Sequence, residues 1–256
     1  MRVAPKKQLG QHFLADENIL RVIGRLADLT PDDVALEIGP GLGVLTRYLA
    51  DRTAHVHAVE LDRSLGPHLV DLGDRADVDL HWGDALVTDL GAFEPAPTKL
   101  VANLPYNVAT PIVAESLAGL PTVELWCVMV QREVADRFFA EPSTKAYGAV
   151  SVLVQLAARR TGFHAVARTV FRPPPNVDSA LVAFRRRPLP ERFDRIKAVV
   201  EASFSHRRKT LPNAVALAGL ASREEAAAAL ESIGRARESR AEALAPAEFV
   251  ALTDAL

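Results

Sequence analysis

Short apolar runs alternate with longer stretches of helical periodicity through the first 160 or so residues of the chain. The runs are rich in Val, Ile and Leu, whereas the stretches between them, such as GVLTRYLADR and TPIVAESLAGL, have the length of helices. This alternation is typical of βαβ units, in which a parallel sheet carries helices on both faces. It predicts five parallel strands, at 34–38, 55–60, 78–82, 99–103 and 123–131.

Two further strand patterns follow, at 161–167 and 179–186. The segment that joins them contains Pro173, Pro174 and Pro175, which would break a crossover helix. Because parallel neighbours need such a crossover, the two strands are predicted to form an antiparallel edge. The expected sheet has seven strands, five parallel and a reversed pair.

The pattern changes after Arg187, where PLPE marks a boundary and the strand patterns stop. The remaining chain predicts helices at 192–204, 210–218, 222–232 and 246–255. The expected fold class is therefore α/β. A Rossmann-like sheet domain is predicted over 1–187, and a small all-helical domain over 188–256.

Hydrophobic residues make up 49% of the 256 residues, as in globular proteins. No apolar segment approaches the roughly 18 residues that cross a bilayer, and the start MRVAPKKQLGQHFL lacks the apolar core of a signal peptide. A cytoplasmic location without a membrane partner is expected. The single cysteine, Cys127, lies in the apolar run LWCVMV, which predicts a buried thiol; disulfides within the chain and cysteine-based metal sites are excluded, and no metal site is predicted.

A glycine-rich turn follows the first strand, in the sequence LEIGPGLGVLT. Glycines between a strand and a helix let the backbone approach a ligand and turn amide donors toward it. The spacing G-x-G-x-G differs from the dinucleotide pattern G-x-G-x-x-G, which disfavours a dinucleotide oxidoreductase. No Lys or Arg lies in IGPGLG, which argues against a triphosphate.

Three acids lie at the carboxyl ends of the predicted strands. Glu60 ends the second strand, where a carboxylate can accept both ribose hydroxyls, and Asp84 follows the third, where it can accept from an adenine amine. Glu37 precedes the glycine turn and could hydrogen-bond the loop or face a cationic ligand. Each acid alone could be a helix cap or a surface charge, but together they describe a site for adenosine.

The stretch NLPYN follows the fourth strand, which lies beside the first strand in a doubly wound sheet. The amide oxygen of Asn103 and a backbone carbonyl held by Pro105 can accept hydrogens from an exocyclic amine and leave its lone pair facing an electrophile. Tyr106 offers a ring on which a flipped base can stack.

The motifs EIGPGLG, VELD, GDA and NLPYN, in this order, resemble the ribosomal RNA adenine dimethyltransferase family. Matching stretches at 6–14, 171–182 and 204–215 extend the resemblance over nearly the whole chain. It implies a seven-stranded methyltransferase fold, S-adenosylmethionine as cofactor, and an amino-terminal segment, 1–17, over the cofactor site. The implied cofactor contacts are His12, Leu14, Glu37, Gly39, Gly41, Glu60, Asp84 and Asn103, and the implied catalytic residues are Asn103, Leu104, Pro105, Tyr106 and Phe171.

In this resemblance Phe171 is the second ring over the target base, opposite Tyr106, and His12 stands where many members have Asn. NLPYN, PPPNVDSA and RRKTL are more similar to the branch that dimethylates two adjacent adenosines near the 3′ end of small-subunit (16S) ribosomal RNA. The implied enzyme is a monomer acting on that RNA or on a partly assembled 30S subunit. The alternatives are a large-subunit dimethyltransferase of the macrolide-resistance type and a non-catalytic ribosome-assembly or RNA-binding factor.

Charge is uneven along the chain, although the net charge is only −2. Basic residues occur in clusters whereas acids are scattered, and such clusters can bind phosphate where they converge. The predicted RNA-binding residues are Lys6, Lys7, Arg185, Arg186, Arg207, Arg208 and Lys209.

Overall fold

The computed structural model describes residues 6, 11–206 and 208–256. A seven-stranded mixed sheet forms the larger part of the fold, and its order is β4-β3-β2-β5-β6-β9-β7. The strands are β2 (Val34–Ile38), β3 (His55–Glu60), β4 (Val78–Trp82), β5 (Lys99–Asn103), β6 (Leu125–Gln131), β7 (Ala158–Val166) and β9 (Ser179–Arg186). A separate two-stranded ribbon pairs β1 (Phe13–Leu14) with β8 (Phe171–Arg172).

Strands β2 to β6 are parallel, and β9 runs antiparallel to β6. The predicted fold class is confirmed, and all seven predicted strands are present with ends that differ by at most three residues. The order reverses between β2 and β5, so the carboxyl ends of these strands face a crevice, as in other doubly wound sheets.

Both faces of the sheet are covered, as β6 illustrates. Cys127 and Met129 belong to a core formed with α1 (Glu17–Leu26) and α2 (Val44–Ala50). Trp126 points to the opposite face and donates its ring N–H to Ser116 of α4 (Ala109–Gly119). A strand buried on both faces has no need of polar residues, which explains the continuous apolar run. The thiol of Cys127 is fully buried, as predicted, and burial raises its pKa to about 12.

The chain divides into two compact units. The first contains the sequence up to Ala135 together with Arg160–Arg186, and the second contains Asp136–Arg159 together with Arg187–Leu256. A single division at residues 187 and 188 was predicted, but Asp136–Arg159 clusters with the later helices.

Packing within the second unit explains why Asp136–Arg159 belongs to it. Tyr147 is buried, donates its hydroxyl to the carbonyl of Leu244 at 2.8 Å and contacts the ring of Phe204 edge-on. The helices of this unit include α6 (Ala149–Ala157), α7 (Phe193–Phe204), α8 (Leu211–Leu217), α9 (Arg223–Ser232) and α10 (Pro246–Ala255), and α5 (Arg132–Phe138) crosses the boundary between the units. Helices α7, α8, α9 and α10 agree with the predicted helices within about a residue at each end. Among the described residues, no helix combines the length and apolar character required to span a bilayer.

Candidate functional site

A cavity of about 270 Å³ opens at the carboxyl ends of β2, β3, β4 and β5. Its walls come from the amino-terminal segment, the glycine turn after β2, the ends of β3 and β4, and the loop after β5. Predicted site residues that line it are His12, Leu14, Glu37, Gly39, Gly41, Glu60, Asp84, Asn103, Leu104, Pro105 and Tyr106. The fold therefore brings together side chains that are far apart in the sequence.

The glycine turn uses backbone conformations that only glycine adopts without strain. Gly39 has a φ of 76° and Gly41 a φ of 60°, both in the left-handed region. A Cβ added at Gly41 would lie 3.0 Å from the ring of Phe13, which packs over the turn from the amino-terminal segment. Glycine at this position therefore permits both the turn and its cover.

Glu60 holds this turn in place. One oxygen of its carboxylate accepts the N–H of Gly41 at 3.1 Å, and the other accepts the N–H of Asp62 at 2.7 Å. Burial raises the pKa of Glu60, although these backbone donors oppose the shift. A carboxylate has about four acceptor positions, so these bonds leave capacity for a ligand donor from the cavity.

Two described residues of the amino-terminal segment, Lys6 and Gln11, bind the carboxylate of Asp62. Lys6 Nζ lies 2.7 Å from one carboxylate oxygen of Asp62, and Gln11 Nε2 donates to the other at 2.9 Å. Desolvation opposes ionisation of Asp62, but the donors from Lys6, Ser64 and Gln11 hold its pKa well below the usual range. This pairing departs from the expectation that Lys6 binds RNA, because its ammonium group is already bound to a nearly buried carboxylate.

Glu37 is buried at the base of the cavity, and its Oε2 has no hydrogen-bond partner among the described residues. Burial raises its pKa to about 8; the neighbouring Thr46 hydroxyl opposes the shift and the Glu60 carboxylate adds to it. The Thr46 hydroxyl is close enough to stabilise the charged form of Glu37, although the two groups do not have the geometry of a hydrogen bond. An unpartnered buried carboxyl group is costly unless a ligand supplies its partner, and a cationic group would do so.

Asn103 and His12 form a connection that the sequence did not predict. Asn103 Nδ2 donates to the backbone carbonyl of His12 at 3.1 Å, which leaves the amide oxygen as the acceptor available to a ligand. The ring of His12 donates Nδ1–H to the carbonyl of Pro173 at 2.9 Å and lies 5.5 Å from the ring of Tyr106. The amino-terminal segment is thus part of the wall next to NLPY.

Tyr106 is oriented by Ser179, which sequence reasoning also missed. The two hydroxyl oxygens are 2.5 Å apart, and Ser179 is buried at the start of β9. The position of Ser179 within the motif PPPNVDSA was the available signal. Burial raises the pKa of Tyr106, so its hydroxyl stays protonated at neutral pH.

Phe171 does not occupy its expected position. It was predicted to cover the target base from the side opposite Tyr106, but it is only 1% exposed and belongs to the hydrophobic core. Its backbone pairs with Leu14 in the β1–β8 ribbon. The structure therefore gives Phe171 a packing role, because its ring has no face turned to the cavity.

Asp84 lies at the open side of the cavity, just after β4. Its Oδ1 accepts the N–H of Leu86 at 2.9 Å, and the residue is exposed. This hydrogen bond orients the carboxylate while leaving its second oxygen for a ligand donor.

Comparison with known proteins identifies the family. The profile described as "Ribosomal RNA adenine dimethylase" matches residues 3–256. A "Ribosomal RNA small subunit methyltransferase A" from Rubrobacter xylanophilus is 49% identical over 250 residues, which cover 97% of this chain and 94% of that protein. The chain belongs to the ribosomal RNA adenine dimethylase family.

Two solved structures share the fold of this adenine dimethylase. A dimethyladenosine transferase from Plasmodium falciparum superimposes with a TM-score of 0.76 at 24% identity, covering 94% of this chain and 96% of that one. A 23S rRNA methyltransferase, ErmE, gives a TM-score of 0.65 at 29% identity, covering 95% and 99%. The family and the fold that the sequence motifs suggested are both confirmed.

The basic residues of the dimethylase differ in their surroundings. Arg186 donates to the carbonyls of Val123, Leu117 and Leu120, and its guanidinium lies 4.8 Å from the ring of Trp126. These contacts join β9 to the end of α4 and to the segment before β6. The expectation that Arg186 binds RNA is therefore not supported by its placement.

Other predicted RNA-binding residues remain accessible. Arg185 pairs with Asp28 at 2.6 Å, and both side chains are at least one third exposed, so a phosphate could replace this weak surface pair. Arg208 and Lys209 are exposed on the turn between α7 and α8. Lys7 and Arg207 lie outside the described residues.

Proposed function

We propose that this adenine dimethylase transfers methyl groups from S-adenosylmethionine to the exocyclic amines of two adjacent adenosines near the 3′ end of small-subunit (16S) ribosomal RNA. Its substrate is that RNA or a partly assembled 30S subunit, and it acts as a monomer in the cytoplasm. The proposal rests mainly on one observation: Asn103, Pro105 and Tyr106 line the same cavity as the glycine turn and the buried Glu37. The name of the Rubrobacter relative supports the small-subunit substrate.

The residues around the cavity fit S-adenosylmethionine. The partnerless Oε2 of Glu37 suits a cationic group, and the remaining acceptor capacity of Glu60 suits ribose hydroxyls. Asp84 at the open side suits an adenine amine. When bound, S-adenosylmethionine supplies an electrophilic methyl carbon.

The loop after β5 would orient the target amine. Because Asn103 Nδ2 is bound to the His12 carbonyl, its amide oxygen faces outward as an acceptor for one amine hydrogen. The N–H of Leu104 is bound to the carbonyl of Met129 at 3.0 Å, which holds the residue whose own carbonyl, in the peptide bond to Pro105, would accept the second hydrogen. An amine held through both hydrogens presents its lone pair, and the Tyr106 ring would support the base by stacking.

The proposal is tested by incubating the protein with labelled S-adenosylmethionine and, in parallel reactions, with small subunits and with large-subunit RNA that lack the modifications, and then mapping the labelled nucleotides. Label on two neighbouring adenosines near the 3′ end of the RNA is the expected result. Label confined to the large-subunit RNA would favour the macrolide-resistance alternative. Binding to subunits without any transfer would favour a non-catalytic assembly factor.

Replacing Glu60 with alanine is expected to weaken cofactor affinity by about 1.5–3 kcal/mol, or roughly 10- to 150-fold. The change removes charge-assisted hydrogen bonds to the ribose and also the acceptor that holds the Gly41 N–H. Calorimetric titration with S-adenosylmethionine measures it. Glu201→Ala, an exposed position on α7, is the matched control, and an affinity for Glu60→Ala equal to this control would contradict the assignment.

Replacing Arg208 and Lys209 with alanine together is expected to weaken RNA binding and to flatten its salt dependence. Each lost phosphate contact lowers the slope of log affinity against log salt by roughly 0.7 to 0.9, so the double variant should lose about 1.5. The competing explanation is that these basic residues pair with acids such as Glu224 and Glu231, but in the structure both of these acids pair with Arg237. The slope is measured by titrating ribosomal RNA at several salt concentrations.

The charge-matched control for this double variant is Arg195→Ala with Arg223→Ala, which removes two exposed positive charges from the same unit. Cofactor affinity should stay unchanged in both double variants. Equal slopes for the two would show that only overall charge matters, and the turn between α7 and α8 would then have no specific part in RNA binding.

A further inference from the structure

Four side chains with metal-binding groups lie on one face of the sheet, away from the cavity. His55 and His57 alternate along β3, and Asp79 and His81 alternate along β4. Residues two apart on a strand point to the same face, and the parallel register places His57 opposite Asp79. The motif His-x-His on one strand therefore faces Asp-x-His on its neighbour.

The ligand atoms of this cluster are close together. His55 Nε2 is 2.9 Å from Asp79 Oδ2, His57 Nδ1 is 3.6 Å from the same oxygen, and His57 Nδ1 is 3.2 Å from His81 Nε2. Zinc bound to nitrogen and oxygen at 2.0–2.2 Å in a tetrahedron separates its ligands by roughly 3.3 Å. The ligand atoms of His55, His57 and Asp79 all lie within 4.8 Å of one another, a set that does not include His81.

The hydrogen bond on the far side of His57 fixes its tautomer. His57 Nε2 lies 2.8 Å from the carbonyl of Pro95, and because a carbonyl only accepts, Nε2 carries the proton. Nδ1 of the neutral ring is then a bare lone pair, and it faces an oxygen of Asp79 that is also an acceptor. Two facing acceptors repel each other, and a cation between them, or protons donated by neighbouring groups, would relieve the repulsion. Metal-binding histidines commonly donate their other N–H to a carbonyl in this way.

The rings are held in place before any ion arrives. His81 stacks on Phe93 with ring centres 4.0 Å apart and planes 10° from parallel, and His57 also contacts Phe93. Asp79 is half exposed, which gives an ion a path from solvent.

We propose that His55, His57 and Asp79 form a binding site for a zinc-class divalent transition-metal ion on the β3–β4 edge of the sheet, with His81 beside it. Two imidazoles and one carboxylate suit Zn²⁺ with solvent as a further ligand, whereas Mg²⁺ and Ca²⁺ prefer oxygen ligands. No metal site was predicted from the sequence, because the single cysteine offers no ligand set and the histidines lie on two strands whose pairing the sequence does not show. The ion fastens the edge strand β4 to β3, the two strands whose ends lead to Asp84 and Glu60.

The competing arrangement needs no metal. His81 Nε2 could carry a proton and donate it to His57 Nδ1 across their 3.2 Å separation, while His55 donates to Asp79. This network would satisfy the same atoms. It predicts a stable protein that gains nothing from zinc, so the two arrangements differ in a direct measurement.

The test uses the full chain, freed of metal with a chelator and then exchanged into chelator-free buffer. Titration with Zn²⁺ should show one saturable site by calorimetry, and Co²⁺ should give the intense visible absorption of a tetrahedral complex. Zn²⁺ should also raise the melting temperature in a concentration-dependent way. The expected affinity is micromolar or tighter.

The decisive variant is His55→Ala with Asp79→Ala, which removes two partly exposed ligands and leaves the buried His57 in place. It should bind zinc at least about 100-fold more weakly and lose the Co²⁺ absorption. The control is His164→Ala, an exposed histidine elsewhere on the protein, which should behave like the parent. Absence of a one-to-one site in the parent, or equal zinc affinity in the double variant, would overturn the proposal.

Discussion

Replacing Asn103 with alanine is expected to lower the rate of methyl transfer at least about 100-fold, while cofactor affinity falls by less than about fivefold. The amide oxygen is proposed to accept a hydrogen from the target amine, an interaction that becomes useful only when the amine attacks. Its Nδ2 meanwhile donates to the His12 carbonyl, so the variant also loosens the wall beside Tyr106. Single-turnover transfer to small subunits and calorimetry with the cofactor measure the two effects separately.

Two further variants separate these contributions. Asn103→Asp keeps an acceptor oxygen but cannot donate to the His12 carbonyl, so partial activity there with none in the alanine variant would identify the acceptor as the essential group. Asn18→Ala, an exposed asparagine on α1, is the control for removal of an amide. Transfer by Asn103→Ala within a few-fold of the control would rule out the proposed role.

The strands of the sheet could be predicted from the sequence because the patterns that mark them are local. Each strand of β2 to β6 is a short apolar run bounded by turn residues, and the glycines, acids and NLPY follow strand ends directly. In a parallel sheet all those ends meet at one edge, so the strand assignments alone predicted that Glu37, Glu60 and Asn103 would share a cavity. The structure brings these residues to one cavity.

Long-range contacts between side chains left no such local signal. The hydrogen bond between Tyr106 and Ser179 joins residues 73 apart in sequence, and the ion pair between Lys6 and Asp62 joins residues 56 apart. Arg186 looked like part of a basic run, and only the fold reveals three carbonyls around its guanidinium. A charged residue in a cluster can therefore be a structural donor, which its sequence neighbourhood does not reveal.

Replacing Glu37 with glutamine is expected to remove a proton-linked step from cofactor binding. With its pKa raised to about 8 by burial, Glu37 is mostly protonated at pH 7 before the cofactor binds. A cationic group beside it favours the ionised form, so binding should release about 0.9 proton at pH 7. The cofactor affinity should therefore increase, by up to about tenfold per pH unit, as the pH rises toward 8. Calorimetry in buffers of different ionisation enthalpy measures the release, and the glutamine variant should lack the part due to this carboxyl.

The same raised pKa predicts that the cofactor-free protein becomes less stable as the pH rises, whereas its cofactor affinity increases. A carboxyl group whose pKa is higher in the folded state than its unfolded value of 4.5 contributes stability that is fully present below that value and is lost as the pH rises through 8. Glu37→Gln has no such loss, so its melting temperature relative to the parent should increase between pH 5 and pH 8, by about 3 °C or more. Glu201→Gln, at an exposed position, should show no such trend. A parallel pH dependence for Glu37→Gln and the parent would mean that Glu37 is already ionised in the folded protein, and its role as the partner of a cationic ligand would then need no proton release.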